Sequence, residues 1–206
     1  MHKYWDTSGN LIRAIEEALP ELECMGIGKR GFEFKATRGE SAARECGFNW
    51  DQTWFEANVD LSAGQFEKVA EVFWPLVVDG HGIDKLARVG SRHWLVFGTE
   101  TLADASHLLG ELKVWSFRES LADLGEPDAR GVALRMVHHG PERRIRLALT
   151  AGDHVLSGKK VPGILVDIDF SMEEDLSAGG FDLSGFLQWN QRYLRDKIHR
   201  VLRARQ

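Results

Sequence analysis

The sequence predicts an α+β fold: antiparallel sheet covered by helices, with a long C-terminal amphipathic helix. Three observations carry that prediction. Segments with strand-like alternation come in runs, and helical segments separate the runs instead of following every strand, which disfavours a doubly wound parallel sheet. Phe32 and Phe34 alternate with Glu33 and Lys35, the mark of a half-buried strand. Leu183, Phe186, Leu187, Tyr193, Leu194, Ile198, Val201 and Leu202 fall on one stripe of a helix expected over residues 183–203.

The elements follow in order. Residues 9–18 read as a short helix ended by Pro20. Strands are expected at 21–25 and 31–36, joined by a glycine-rich turn, with an aromatic-rich third strand over 50–59. Ser62 and Gln65 form a candidate capping box before a helix carrying Phe66, Val69, Ala70, Phe73, Trp74 and Val77, which Pro75 should kink or end. A strand over 85–97 and a helix over 100–112 follow. Strands at 132–138 and 144–150 flank the turn His139-Gly140-Pro141-Glu142, and 163–170 gives another strand. The acidic, glycine-containing stretch 172–180 reads as a loop. Asn58-Val-Asp-Leu-Ser and Asp167-Ile-Asp-Phe-Ser echo each other, a hint of two similar halves (1–112 and 113–206) within a single domain, 1–206.

Composition narrows the class. At 206 residues the chain can bury a core without disulfides or metal. Its two cysteines, Cys24 and Cys46, form no CxxC pair and suit a reducing compartment. The first residues show no apolar run, so no signal peptide is expected. No stretch approaches the apolar length needed to span a bilayer. A cytoplasmic protein without a membrane partner is the expectation. The net charge is −5, yet Arg192, Arg195, Lys197, Arg200, Arg203 and Arg205 gather near the C-terminus against Asp196 alone. The rest is therefore acidic, which argues against nucleic-acid binding over the whole surface and leaves room for a local basic face.

Asp167 and Asp169 are the candidate catalytic residues. They alternate along one strand, so both point to one face, where paired carboxylates can hold a divalent cation. Such sites need a third acid, and nothing in the spacing fixes one, so no metal site is expected. Arg88 and Arg92, with Gly90 between them, share a face and could clamp a carboxylate or phosphate, with His93 beside them as a candidate ligand-binding group. The favoured reading of the two arginines is an internal pairing with Asp167 and Asp169. Gly26-x-Gly28-x-x-Gly31 matches a dinucleotide fingerprint in letters, but a strand follows it where a helix is needed, so it reads as a hairpin turn. His138-His139 on a strand point to opposite faces and cannot easily chelate one ion. The spacing of Arg192 and His199 fits a loose pattern of helical ribonucleases, which are all-helical and unlike this chain. Arg195, Arg200 and Arg203 mark a candidate partner or nucleic-acid face on the last helix. Nucleic acid would need a second basic element, and the linear sequence offers none. No cofactor is expected.

Three segments resemble a sporadically distributed bacterial family known by a catalogue label, the TIGR04255 group. They are the aromatic strand with Asn58 and the helix with Phe66 and Phe73; Arg88-Val-Gly-Ser-Arg-His; and Val166-Asp-Ile-Asp with the segment Asp182-Leu-Ser-Gly-Phe-Leu-Gln-Trp and the last helix. The resemblance covers roughly residues 50–203. Asn190 stands where members often carry His. It implies a fold and a bacterial origin, and no reaction.

The functional expectation is a non-enzymatic binding module, with another protein favoured over nucleic acid as partner and homo-oligomerisation open. The alternative is a metal-dependent enzyme acting on a phosphate-containing substrate through Asp167 and Asp169.

Overall fold

The structure, a computed structural model, describes residues 2–36, 44–49, 51–57, 63–111, 133–139, 143–156 and 158–200. In chain order they form α1 (His2–Ala18), β1 (Leu22–Gly28), β2 (Gly31–Ala36), β3 (Arg44–Phe48), β4 (Thr53–Ala57), α2 (Ala63–His81), β5 (Lys85–Gly98), α3 (Leu102–Glu111), β6 (Ala133–His139), β7 (Arg144–Leu156), β8 (Lys159–Ser177), α4 (Leu183–Tyr193) and a π-helical segment, Leu194–His199. The described strands make two sheets, β1-β2-β3-β4 and β5-β8-β7-β6. This is the α+β class that the sequence predicts. Two compact units result, Met1–Leu86 with Asp175–Gln188, and Ala87–Glu174 with Trp189–Gln206.

In the first unit β1 to β4 form an antiparallel meander. Alternation sends Phe34, Ala36, Cys46 and Phe48 to one face, where they meet Leu11 and Ile15 of α1, Leu19 just after it, and Phe73 and Val77 of α2. Each fully buried side chain of this size stabilises by about 1.5–3 kcal/mol. Pro75 sits inside α2 and does not end it. The lost backbone donor is outweighed by burial of Phe73, Val77 and Val78 on either side. The expected third strand is β4, and the pattern missed β3 before it. Gly47 interrupts the alternation of β3, and the fold requires it there. A Cβ at that position would lie 2.3 Å from the Phe32 carbonyl oxygen and 2.4 Å from the Trp54 ring. Asn49 makes the next turn, its Oδ1 accepting from the amides of Asp51 and Gln52, each at 2.9 Å. The candidate cap at Ser62 and the echo at Asn58 lie outside the described residues.

In the second unit β7 and β8 form a long hairpin, with β6 on the far side of β7. The links Thr99–Pro162, Arg92–Asp167 and Arg88–Asp169 run in opposite chain directions, so β5 lies antiparallel to β8. Ile164, Val166, Ile168 and Phe170 alternate along β8 and are completely buried. They share that face with Ile145, Leu149 and Ala151 of β7. Buried residues of α3 (Ala105, Leu108, Leu109) and of the π segment (Leu194, Ile198) complete the core of this unit. Helix α3 starts with a reciprocal cap: Asp104 N–H donates to Thr101 Oγ1 at 3.1 Å, and Thr101 N–H to Asp104 Oδ2 at 3.0 Å. The loop expected at 172–180 is largely strand, because β8 continues to Ser177. Pairing with β7 ends at Ser171 opposite Arg144, and β8 runs on beyond it.

Candidate functional site

Arg88 and Arg92 of β5 and Asp167 and Asp169 of β8 lie on the face turned away from the core of the second unit, and they meet as ion pairs. Arg92 presents Nε and Nη2 to the two oxygens of Asp167, at 2.8 and 2.6 Å, a fork-on-fork contact. Arg88 Nη2 donates to both oxygens of Asp169 at 2.8 Å. The hydrogen bond to Asp167 is the main reason the Arg92 guanidinium holds its proton more firmly than usual. Gly90 leaves room for the Arg88 head to lie along the strand, since a Cβ there would come within 3.0 Å of Nη2. The carboxylates are the more enclosed partners, Asp169 at 17% side-chain exposure and Asp167 at 25%, against 45% for Arg88 and 55% for Arg92. Pairs this exposed stabilise by about 0–1 kcal/mol each, with bidentate geometry at the upper end.

A third carboxylate reaches this face but is also held by arginines. Glu173 lies 3.8 Å from Arg88 and 3.6 Å from Arg144. Among the described residues no group of three or more His, Cys, Asp or Glu is arranged to hold a metal ion.

His93 is not part of this face. It points into the core side of the sheet, edge-on to Phe170 at 5.8 Å, with Nε2 2.7 Å from Ser91 Oγ. Burial pushes its pKa down to about 4, so it is neutral at pH 7. Phe170 is also met edge-on by Trp189 and Tyr193 of the last helix. Asn190 beside them is fully buried, and neither polar atom of its side chain has a hydrogen-bond partner among the described residues.

The other sequence candidates scatter. Gly26, Gly28 and Gly31 serve the β1–β2 hairpin, with φ of 100° at Gly26 and 130° at Gly31, and a strand, not a helix, follows them. His138 and His139 stand on opposite faces of β6, opposite Ile145 and Arg144. His199 packs its ring on Phe97 at 5.3 Å. Arg195 is exposed and bonded to its neighbour Asp196 at 2.8 Å. Arg200 is exposed, and Arg203 lies outside the described residues.

Three arginines that sequence reasoning did not single out share the outer face with Arg88 and Arg92. Arg146 pairs across the ladder with Asp169, Arg144 with Ser171, and Arg135 with Ala148, itself opposite Asp167. Arg144-x-Arg146 was visible as period-2 spacing, but only the strand register shows that it joins Arg135. No family model, curated protein or solved structure matches the chain.

Proposed function

We propose that the chain is a non-enzymatic binding module, and that the outer face of its second sheet is the recognition surface. One observation supports this most. The carboxylates a metal-dependent enzyme would need are each bound by an arginine, so a cation would have to displace a guanidinium from both Asp167 and Asp169. The order of the three segments noted in the sequence supports kinship with the bacterial family they resemble, and cytoplasmic residence fits the cysteine usage. No described helix is long and apolar enough to cross a membrane.

Calorimetric titration with Mn²⁺, on the native chain and on Asp167→Asn/Asp169→Asn, tests the proposal. The native chain should show no saturable binding. Saturable binding that disappears in a folded double variant would return Asp167 and Asp169 to the role of metal ligands.

A further inference from the structure

We infer that the occupant of this face is a single-stranded nucleic acid, with Arg135 and Arg146 gripping phosphate and Trp94 stacking a base. The inference rests on the binding-module reading and names its partner.

The β8 carboxylates are cancelled by the β5 arginines, so the charge that remains is that of β6 and β7. Arg146 lies opposite Val137, and Arg135 opposite Ala148, which makes the two arginines diagonal neighbours about 7–8 Å apart. Both are exposed, and neither has a carboxylate partner among the described residues. Arg146 faces Asp169 across the ladder, but both oxygens of that carboxylate are taken by Arg88. Arg144, two residues along on the same face, is engaged by Glu173 at 3.6 Å, so the unshared pair is Arg135 and Arg146. Unshared guanidinium groups side by side repel each other, and a bridging phosphate would relieve the repulsion while using their planar donor geometry.

The opposite edge of the face supplies a ring. Trp94 is 52% exposed, and the Arg92 guanidinium lies 4.8 Å from its centroid. Three strand spacings, about 14 Å, separate β5 from β6. An extended strand of a few nucleotides spans that distance. Exposed tryptophan beside arginine is the combination on which unpaired bases stack without regard to sequence. The exposed ring selects single strands, because paired bases stack within their own duplex and are not free to stack on Trp94. An acidic peptide would satisfy the arginines but leave the ring unused. The sequence disfavoured nucleic acid for want of a second basic element, and the β6–β7 register provides one.

Fluorescence anisotropy of a labelled oligothymidylate tests this at roughly 50 and 200 mM salt. Native protein should bind, and lose about sevenfold in affinity across that range, the slope expected of two phosphate contacts on a single strand. Arg135→Ala/Arg146→Ala should weaken low-salt binding about tenfold and flatten the salt dependence, whereas Arg146→Lys should preserve the slope. Trp94→Ala should weaken binding about fivefold with the slope unchanged. Circular dichroism checks that each variant is folded. The inference is overturned if native protein fails to bind at low salt, if duplex binds as well as single strand, or if oligoglutamate binds more tightly. It is equally overturned if Arg195→Ala costs as much as the sheet variants. A parallel incubation with Mn²⁺ separates the two proposals. Cleavage of the oligonucleotide that Asp167→Asn/Asp169→Asn abolishes would end the non-enzymatic reading and leave the binding inference intact. Absence of both oligonucleotide and Mn²⁺ binding would do the reverse.

Discussion

The outer faces of the two sheets use the same parts in opposite proportions. On the first sheet one cation serves two acids: Arg30 donates to Glu45 and Glu56 and lies over the Trp54 ring at 4.7 Å, while Lys35 adds a contact to Glu45 at 3.4 Å. On the second, five arginines (Arg88, Arg92, Arg135, Arg144, Arg146) meet Asp167, Asp169 and Glu173. Trp54 is half-buried over Gly47, and Trp94 is open. The first face also carries Glu23 and Glu33 and so holds acid in excess, whereas the second keeps donors to spare. A charged sheet face is therefore diagnostic only through its stoichiometry, because salt bridges alone are common to both.

Four tests press on that contrast. The largest effect should come from beneath the open face. His93 has a folded pKa of about 4 against an ordinary 6.5, so the unfolded chain binds more protons between those values. Stability should fall as pH drops from 6.5 to 4, by about 3 kcal/mol in all, and His93→Gln should remove the slope in pH-dependent denaturant melts. Next, Gly47→Ala should cost about 2–3 kcal/mol, since the new methyl meets backbone and an indole, while Gly90→Ala meets only the movable end of Arg88 and should cost under about 1 kcal/mol. Equal costs at the two glycines would erase the distinction between a packed face and an open one. Asn190→Leu should then raise stability by about 1 kcal/mol, because it removes two unsatisfied polar atoms. A loss would mean that the amide has a partner in solution. Smallest of all, Arg195→Ala should leave the melting temperature unchanged, as its contact with Asp196 is fully exposed.

Much of the architecture was legible because it rests on periodicity. The strand over 85–97, the alternation of Asp167 and Asp169, and the stripe of the last helix all follow from which residues recur on a face. The pairing of Arg88 and Arg92 with those carboxylates was legible too, as charge matching between two strands. What escaped depended on register or on cross-strand compensation. Strand β3 hid behind Gly47, whose role is visible only against Trp54. The continuation of β8 through Glu173 hid because acidity reads as loop until Arg88 and Arg144 are placed beside it. His93 adjoins the arginines in sequence, but alternation turns it to the opposite face. Arg135 and Arg146 became neighbours only once β6 and β7 were aligned.

One consequence of that alignment concerns robustness. Asp169 has two suitors: Arg88, which holds it, and Arg146, which stands directly across the ladder. Loss of Arg88 would free the carboxylate to turn to the other strand, so Arg88→Ala would be nearly silent in stability. The same change would consume one of the two unshared guanidinium groups. A mutation on β5 would thus disarm a surface on β7 without touching it, and leave no trace in the melting curve.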